Sequence, residues 1–486
     1  MNANPAILAW PVQEDDLLPL ALWDAATIAE AAGGTASGDF LCSGVEIDSR
    51  DVREGDLFFA LKGETTDGHR FLDAAFANGA IAAVVDRPIP QPHILVRDTT
   101  EALEALARAA RDRVDGRIVG VTGSVGKTGV KEAIFAALDR SSRGGAHRSV
   151  KSYNNHVGVP LSLARMPART RFGIFEMGMN HAGEIAALTH QVRPNVAVIT
   201  TIAPAHIENL GSEEAIADAK AEIFAGLEKG GTAIIPADSP HFERLRNAAR
   251  ALGAHTISFG KAAHADVRLL DSVAASSGGS LVTADMGDTR ICYTVAAAGE
   301  HWIINSLAVM ATVRAVGGDL GAAGLSLAEM TGLVGRGARH DILLGYGRKA
   351  LLIDESYNAN PASMRATLAQ LGQTPAARRI AVLGAMKELG DFSPAFHAAL
   401  AEPLAQSGAE YALLVGPEME ALASELGKGA NGKLGKAIAF AHCKDTDEAI
   451  AALAAFGLDD GDAILVKGSN SVGLARLVAH FSGKEG

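Results

Sequence analysis

The sequence predicts an α/β protein of three domains: a small N-terminal α/β domain, a central P-loop domain with a mostly parallel sheet, and a C-terminal Rossmann-like domain. Three observations predict it. At 486 residues the chain is too long for one hydrophobic core. From about residue 114 onward, short apolar runs alternate with helical stretches, the pattern of parallel strands joined by crossover helices. One of those runs, 118–122, leads directly into a glycine-bearing turn and a helix.

In chain order, the first twenty or so residues carry Pro5 and Pro11 and read as a loosely attached extension. Between 22 and 113, strand-like runs at 56–61 and 80–86 sit among helical stretches at 23–32 and 100–114, giving the first domain, 1–113 with its extension. The central domain, 114–330, holds apolar runs at 118–122, 172–177, 196–200, 232–235 and 256–259. Its stretch 265–295 alternates polar and apolar residues around Gly278 and Gly279, which predicts antiparallel hairpins added to the parallel sheet. After a loop-like segment at 332–339, the last domain, 331–486, repeats the alternation with runs at 350–353, 380–383, 412–415, 438–441 and 463–466. No Gly-x-Gly-x-x-Gly follows any of these later strands, so a dinucleotide site there is not expected.

Composition narrows the function class. A net charge of −12 opposes nonspecific binding to nucleic acid or anionic membrane. No stretch approaches the ~20 apolar residues of a membrane span, and Glu14, Asp15 and Asp16 are foreign to a secretory signal. Cys42, Cys292 and Cys443 are few, odd in number and widely spaced, which suits a reducing compartment and matches neither a disulfide framework nor a zinc site. A cytoplasmic location is expected.

The turn Gly123, Ser124, Val125, Gly126, followed by Lys127, Thr128 and Gly129, reads as a phosphate cradle for ATP or GTP. The glycines let backbone N–H groups face an anion, Lys127 adds a point charge, and the Thr128 hydroxyl suits magnesium. Val121 stands where the commoner pattern has glycine, so the motif is the shorter Thr-Gly-x-x-Gly-Lys-Thr form. Glu176 ends one apolar run and His206 follows another, which places two candidate metal ligands at the carboxyl ends of strands, where ligand sites form. By sequence alone Lys220 is a helix lysine facing solvent. Ser49, Arg50 and His69 flank the strand at 56–61 and suit either diphosphate binding or turn chemistry. The polar block 354–361 and the segment 467–470 both close strands, so both should lie along one edge of the last sheet.

With these residues laid out, the chain resembles the Mur ligase family from about residue 22 to its end. Six blocks carry the resemblance in order: Asp48-Ser-Arg with Gly55-Asp-Leu-Phe and Asp67-Gly-His; Thr122-Gly-Ser-Val-Gly-Lys-Thr; Asn154-Asn-His-Val-Gly-Val-Pro; Glu176-Met-Gly-Met-Asn; Asp354-Glu-Ser-Tyr-Asn-Ala-Asn-Pro; and Lys467-Gly-Ser. The fifth is most similar to members that join D-alanyl-D-alanine to a UDP-N-acetylmuramoyl-tripeptide, using ATP and an acyl-phosphate intermediate in peptidoglycan precursor synthesis. The resemblance implies that Lys127 holds the β and γ phosphates, that Thr128 and Glu176 serve one magnesium ion and His206 a second, and that Lys220 is carbamylated. It implies further that Asn305, Arg336 and Asp354 contact ATP, and that Ser49, Arg50, His69, Asn154, Asn155 and Asn358 contact the UDP-muramoyl or peptide substrates. A monomer is expected.

Departures cluster in the last domain. Ala385 replaces a common acidic residue, Asn470 a common arginine and Ala475 a common glutamate, which puts the dipeptide contacts in question more than the ATP chemistry. Arg339 competes with Arg336 for the nucleotide role. The alternatives are a sister ligase adding one amino acid, a folylpolyglutamate synthase, or a catalytically silent nucleotide-binding protein.

Overall fold

The computed structural model describes residues 21–63, 66–275, 279–429 and 437–483. The N-terminal extension predicted for the first twenty residues lies outside them. The chain divides into two compact units: 1–115 with 157–170, and 116–156 with 171–486.

The first unit holds a five-stranded sheet in the order Thr35–Ala36, His93–Leu95, Ala82–Val85, Asp56–Phe59, Gly44–Glu46. Only the edge pairing of Thr35–Ala36 with His93–Leu95 is antiparallel. The central strands are buried along their whole length, as apolar runs covered on both faces should be. Two of its helices begin at aspartate caps. Asp24 accepts from Thr27 N at 2.8 Å to start Ala25–Ala32, and Asp98 accepts from Thr100 N and Glu101 N to start Thr99–Asp112.

The segment 157–170, sequentially inside the central interval 114–330, belongs to this unit. Every residue of its helix Gly158–Ala164 is buried. Trp23 Nε1 donates to Ala164 O at 2.8 Å, and the Arg113 guanidinium lies 3.4 Å over the Trp23 ring while donating to Met166 O. A helix whose one polar side chain, Ser162, bonds back to Gly158 O has no solvent face and must be enclosed, which explains its capture by the helices around it.

The second unit carries two sheets. The larger has nine strands among the described residues, with Arg117–Thr122 between Val196–Ile199 and Phe172–Glu176. All three are parallel and in register, Glu176 opposite Val121 and Ile199 opposite Thr122, so the loops that follow them open at one edge. The expected hairpins appear as the antiparallel strands Val267–Ala274, Ser280–Asp285 and Arg290–Val295. Helix Lys127–Ser142 buries Val130, Ile134 and Leu138 in a core shared with Val119, Ile174 and Leu307.

The second sheet runs Ala338–Gly345, Arg348–Glu355, Ala463–Lys467, Arg379–Gly384, Tyr411–Val415, Ala439–Cys443. Five strands are parallel, and Ala338–Gly345 is an antiparallel edge that extends from the predicted loop at 332–339. Its burial alternates because one face is open to solvent, so it lacks the continuous apolar run that marked the other strands. Glu355 pairs in register with Lys467, which brings the loops after both strands to the same edge, as expected.

Candidate active site

The turn after Arg117–Thr122 requires glycine for two different reasons. Gly123 has φ +146°, and a Cβ there would meet Thr200 Oγ1 at 2.0 Å. Gly126 has φ +88° and faces the Asn305 amide, with Nδ2 3.0 Å from where a Cβ would stand. The turn is laced to the next loop: Ser124 N donates to Thr201 O at 2.8 Å, Ser124 Oγ to Ala203 O at 2.8 Å, and Thr200 Oγ1 to Val125 O at 2.6 Å. Gly126 begins helix Lys127–Ser142 with no side-chain cap, leaving the first amides of the helix for an anion. Lys127 Nζ donates to Gly123 O at 2.7 Å. Burial lowers its basicity, the Glu176 charge raises it, and Arg336 pushes it down again.

Glu176 is buried, and both its oxygens are oriented. Thr128 Oγ1 donates to Oε2 at 2.9 Å and Asn154 Nδ2 to Oε1 at 2.8 Å. Asn154 is held in turn, its carbonyl accepting from Gly178 N at 2.8 Å. One turn beyond Lys127, the fully buried Lys131 donates to Ser149 O and Lys151 O, fixing the strand end that leads to Asn154.

His206 occupies a left-handed backbone position, φ 60°, at the start of the short helix Ile207–Leu210. Its Nδ1 stands 2.5 Å from Glu388 Oε2, and that contact with His206 holds the Glu388 carboxyl below the usual range. Lys220, on helix Glu213–Ala221 capped by Ser212, is buried rather than solvated. Sequence alone misplaced it because only its own helix was visible, whereas that helix packs against Ile207–Leu210 and Phe242–Ala251. Burial pushes its amine well below the ordinary lysine value, and the charge of Lys127 acts in the same direction.

Ser124, Val125, Gly126, Lys127, Gly129, Asn154, Glu176, His206, Asn305, Arg336 and Asn358 line one cavity, although they span almost half the chain. Arg336 rather than Arg339 reaches it, with the Arg336 guanidinium 4.3 Å from the Tyr357 ring centre. Asp354 is buried beneath that wall. Its carboxylate accepts from Gly335 N at 2.8 Å and from Ser356 N and Oγ, so it aims the arginine loop through the backbone. Asn155 is exposed and outside the lining.

The three remaining residues belong to the first unit and have partners there. Arg50 Nε donates to Asp48 Oδ1 at 2.9 Å. His69 is buried, with Nδ1 2.7 Å from Asp67 Oδ1 and Nε2 3.3 Å from Asp86 N. Ser49 is buried and its carbonyl accepts from Asn78 Nδ2 at 2.8 Å.

The cavity also contains residues that sequence reasoning did not assign to a site. His301 and Trp302 line it from the helix Glu300–Ala315, where a spacing of three and four residues puts them on the same face as Asn305. That periodicity was a usable signal. Burial and the charge of Lys467 push His301 down to about 4. Trp302 packs on Gly129, at which a Cβ would lie 2.7 Å from Cη2 of the indole. Glu355 and Lys467 form a buried pair at 3.5 Å, and Lys467 Nζ donates to Asn358 O at 2.9 Å.

This anion cradle faces a carboxylate, an imidazole and a set of cations supplied by the second sheet. Three family models match the chain in the same order: the Mur ligase family catalytic domain at 42–111, the Mur ligase middle domain at 121–313, and the Mur ligase glutamate ligase domain at 339–470. A curated protein of Synechocystis sp., named UDP-N-acetylmuramoyl-tripeptide--D-alanyl-D-alanine ligase, is 36% identical over 478 residues, covering 95% of this chain and 97% of its own. The chain belongs to the Mur ligase family. Among solved Mur ligases, MurF from Acinetobacter baumannii superposes with a TM-score of 0.80 at 29% identity, covering 96% of this chain and 100% of that one. MurF from Thermotoga maritima, solved in complex with ADP, gives 0.72 at 27% identity over 91% of this chain and 97% of its own.

Proposed function

We propose that this chain is an ATP-dependent ligase that joins D-alanyl-D-alanine to UDP-N-acetylmuramoyl-tripeptide. The observation that carries the reading is the convergence of the P-loop, Glu176, Arg336 and Lys467 on one cavity, in a chain matched along nearly its whole length by a ligase of that name.

A carboxylate is a poor electrophile because its charge repels nucleophiles and oxide does not leave. In the proposed reaction the tripeptide's terminal carboxylate oxygen attacks the γ-phosphorus of ATP, ADP departs, and an acyl phosphate forms. The amine of D-alanyl-D-alanine then attacks the acyl carbon and loses a proton, and inorganic phosphate leaves with its bonding pair. Negative charge gathers at each step, so cations and N–H donors fixed in advance supply the stabilisation. In this reading Lys127, the first amides of helix Lys127–Ser142 and Arg336 hold the phosphates. Gly123 to Gly129, Asn305 and the Asp354-anchored loop shape the nucleotide pocket, while Asn154 and Asn358 face the acceptor side. The roles of Ser49, Arg50 and His69 at the UDP-sugar are proposed on the resemblance alone.

Magnesium fits the donors present. Thr128 and Glu176 bring a hydroxyl and a carboxylate within 2.9 Å of each other, the oxygen set a hard cation shares with phosphate. Bound there, and at a second position served by His206 and Lys220, it would neutralise phosphate charge. Lys220 has the environment for carbamylation: burial favours its neutral amine, whose lone pair attacks carbon dioxide, forming an N–C bond and releasing a proton to solvent. The product is an anion that attracts a cation where the ammonium would repel it.

The acidic, cysteine-poor composition supports a cytoplasmic location, and a monomer is proposed. No helix among the described residues is long and apolar enough to cross a membrane. A panel of acceptor amines tests the reading. Phosphate release from ATP and UDP-muramoyl-tripeptide should require D-alanyl-D-alanine, and dependence on a single amino acid instead would overturn it. Running lysine and diaminopimelate tripeptides in parallel identifies the natural third residue.

A further inference from the structure

His206 and Glu388 come from different sheets of the second unit, one following Val196–Ile199 and the other following Arg379–Gly384. Their side chains meet at Nδ1 and Oε2, 2.5 Å apart, a close approach in which Nδ1 is not aligned as a hydrogen-bond donor. Both residues sit in the left-handed region, at φ 60° and 63°. For residues with a Cβ this conformation is unfavourable and persists only where the surroundings enforce it.

The surroundings of Glu388 do so. Ala385 N donates to Val415 O at 2.9 Å, Met386 N to Nε2 of the buried His397 at 2.9 Å, and Lys387 N to Ser469 Oγ at 3.0 Å. His397 Nδ1 is fixed in turn on Ser393 O at 2.8 Å. The loop also rests on the segment that carries His206: Glu208 N points at Glu388 O at 3.4 Å, and Gly390 lies against the Glu208 side chain, where a Cβ would meet Cγ at 3.0 Å.

We propose that Glu388 is a positioning residue for His206. Its carboxylate, 2.5 Å from Nδ1, favours the ring proton on that nitrogen, which leaves the Nε2 lone pair free for the cavity that His206 lines. The imidazole is therefore aimed by the C-terminal sheet, and it is correctly presented only while the loop 385–390 is docked. This rests on the proposed role of His206 in the ligase site.

The test uses the full chain free of nucleotide and metal, labelled with 15N-histidine, with His206→Gln identifying the His206 signals at pH 8.5. The expected result is an Nδ1–H tautomer in the wild type, a shift toward Nε2–H in Glu388→Ala, and retention of Nδ1–H in Glu388→Gln, whose amide oxygen still accepts. Ligation should follow: kcat falls ~10- to 100-fold in Glu388→Ala with little change in KM for D-alanyl-D-alanine, and Glu388→Gln recovers most of it. Wild-type Nδ1–H with no response to Glu388→Ala overturns the proposal, as does equal kcat in all three proteins. Since the spectrum is recorded without substrates, a wrong acceptor assignment leaves it unchanged, so the two failures are separable. A thermal unfolding midpoint equal to wild type in Glu388→Ala excludes general loss of fold as the cause of lost activity.

Discussion

Removing the Lys467 ammonium while keeping its bulk, as Lys467→Met does, should destabilise the C-terminal sheet by about 3–4 kcal/mol. The lysine side chain is 2% exposed and its Glu355 partner 14%, so solvent cannot replace either. Breaking a buried pair from one side costs about 3–5 kcal/mol because an uncompensated charge remains. Arg336, which also acts on Glu355 as a cation, moves the value toward the lower end. Loss of the hydrogen bond to Asn358 O, 2.9 Å in the intact protein, adds about 1 kcal/mol. The double variant Glu355→Gln with Lys467→Met leaves no orphan charge and should cost clearly less than the two single changes added together, by at least ~1.5 kcal/mol. Urea unfolding of the four proteins, with hydrogen exchange followed at the amides of 463–467 and 351–355, measures both quantities. A single-variant loss below ~1 kcal/mol, or strict additivity in the cycle, would refute the view that this pair is enclosed and mutually dependent.

Gly123→Ala should weaken ADP binding ~10- to 100-fold in a calorimetric titration, because a Cβ 2.0 Å from Thr200 Oγ1 must displace the turn whose amides face the phosphate; unchanged affinity would contradict the cradle geometry. His301, pushed down to about 4 against an ordinary 6.5, stays neutral in the folded protein while the unfolded chain takes up a proton. Stability should therefore fall as pH drops from about 6.5 to 4, by at most ~3 kcal/mol from this group. Unfolding midpoints of wild type and His301→Gln across that window should converge or cross on acidification, and parallel curves would remove His301 from the effect. Lys220→Ala should lose ligation while keeping its fold, with partial recovery on adding short carboxylic acids; full activity without additive would exclude a carbamate.

The phosphate cradle was legible in the sequence because strand, turn and helix are contiguous there, so local pattern and tertiary placement coincide. Lys220 was not, since a helix lysine looks the same whether it faces water or neighbouring helices. Glu388 gave no signal at all: its partner lies 182 positions earlier and the contact depends on how two sheets meet. Trp302 reads as an ordinary core aromatic until Gly129 is seen beneath it. The edge strand Ala338–Gly345 escaped for a related reason, half of it being open to solvent and therefore polar. Arg50 and His69 contact Asp48, Asp67 and Asp86 within the first unit, and their proposed role at the substrate rests on the resemblance.

The position of the strand Ala463–Lys467 bears on the order of biosynthesis. It is the last strand among the described residues, yet it lies in the interior of its sheet, between Arg348–Glu355 and Arg379–Gly384. Until residue 467 has cleared the ribosome, those two neighbours have no strand to join them, and the cations that the sheet presents to the cavity lack their support. The first unit and the nine-stranded sheet can form during translation, whereas the cavity is completed only when almost the whole chain has emerged. The wall that carries Lys467 is therefore the last part of the cavity to be supplied, and a chain truncated by twenty residues at its end, which loses Lys467, should keep the phosphate cradle and lack that wall.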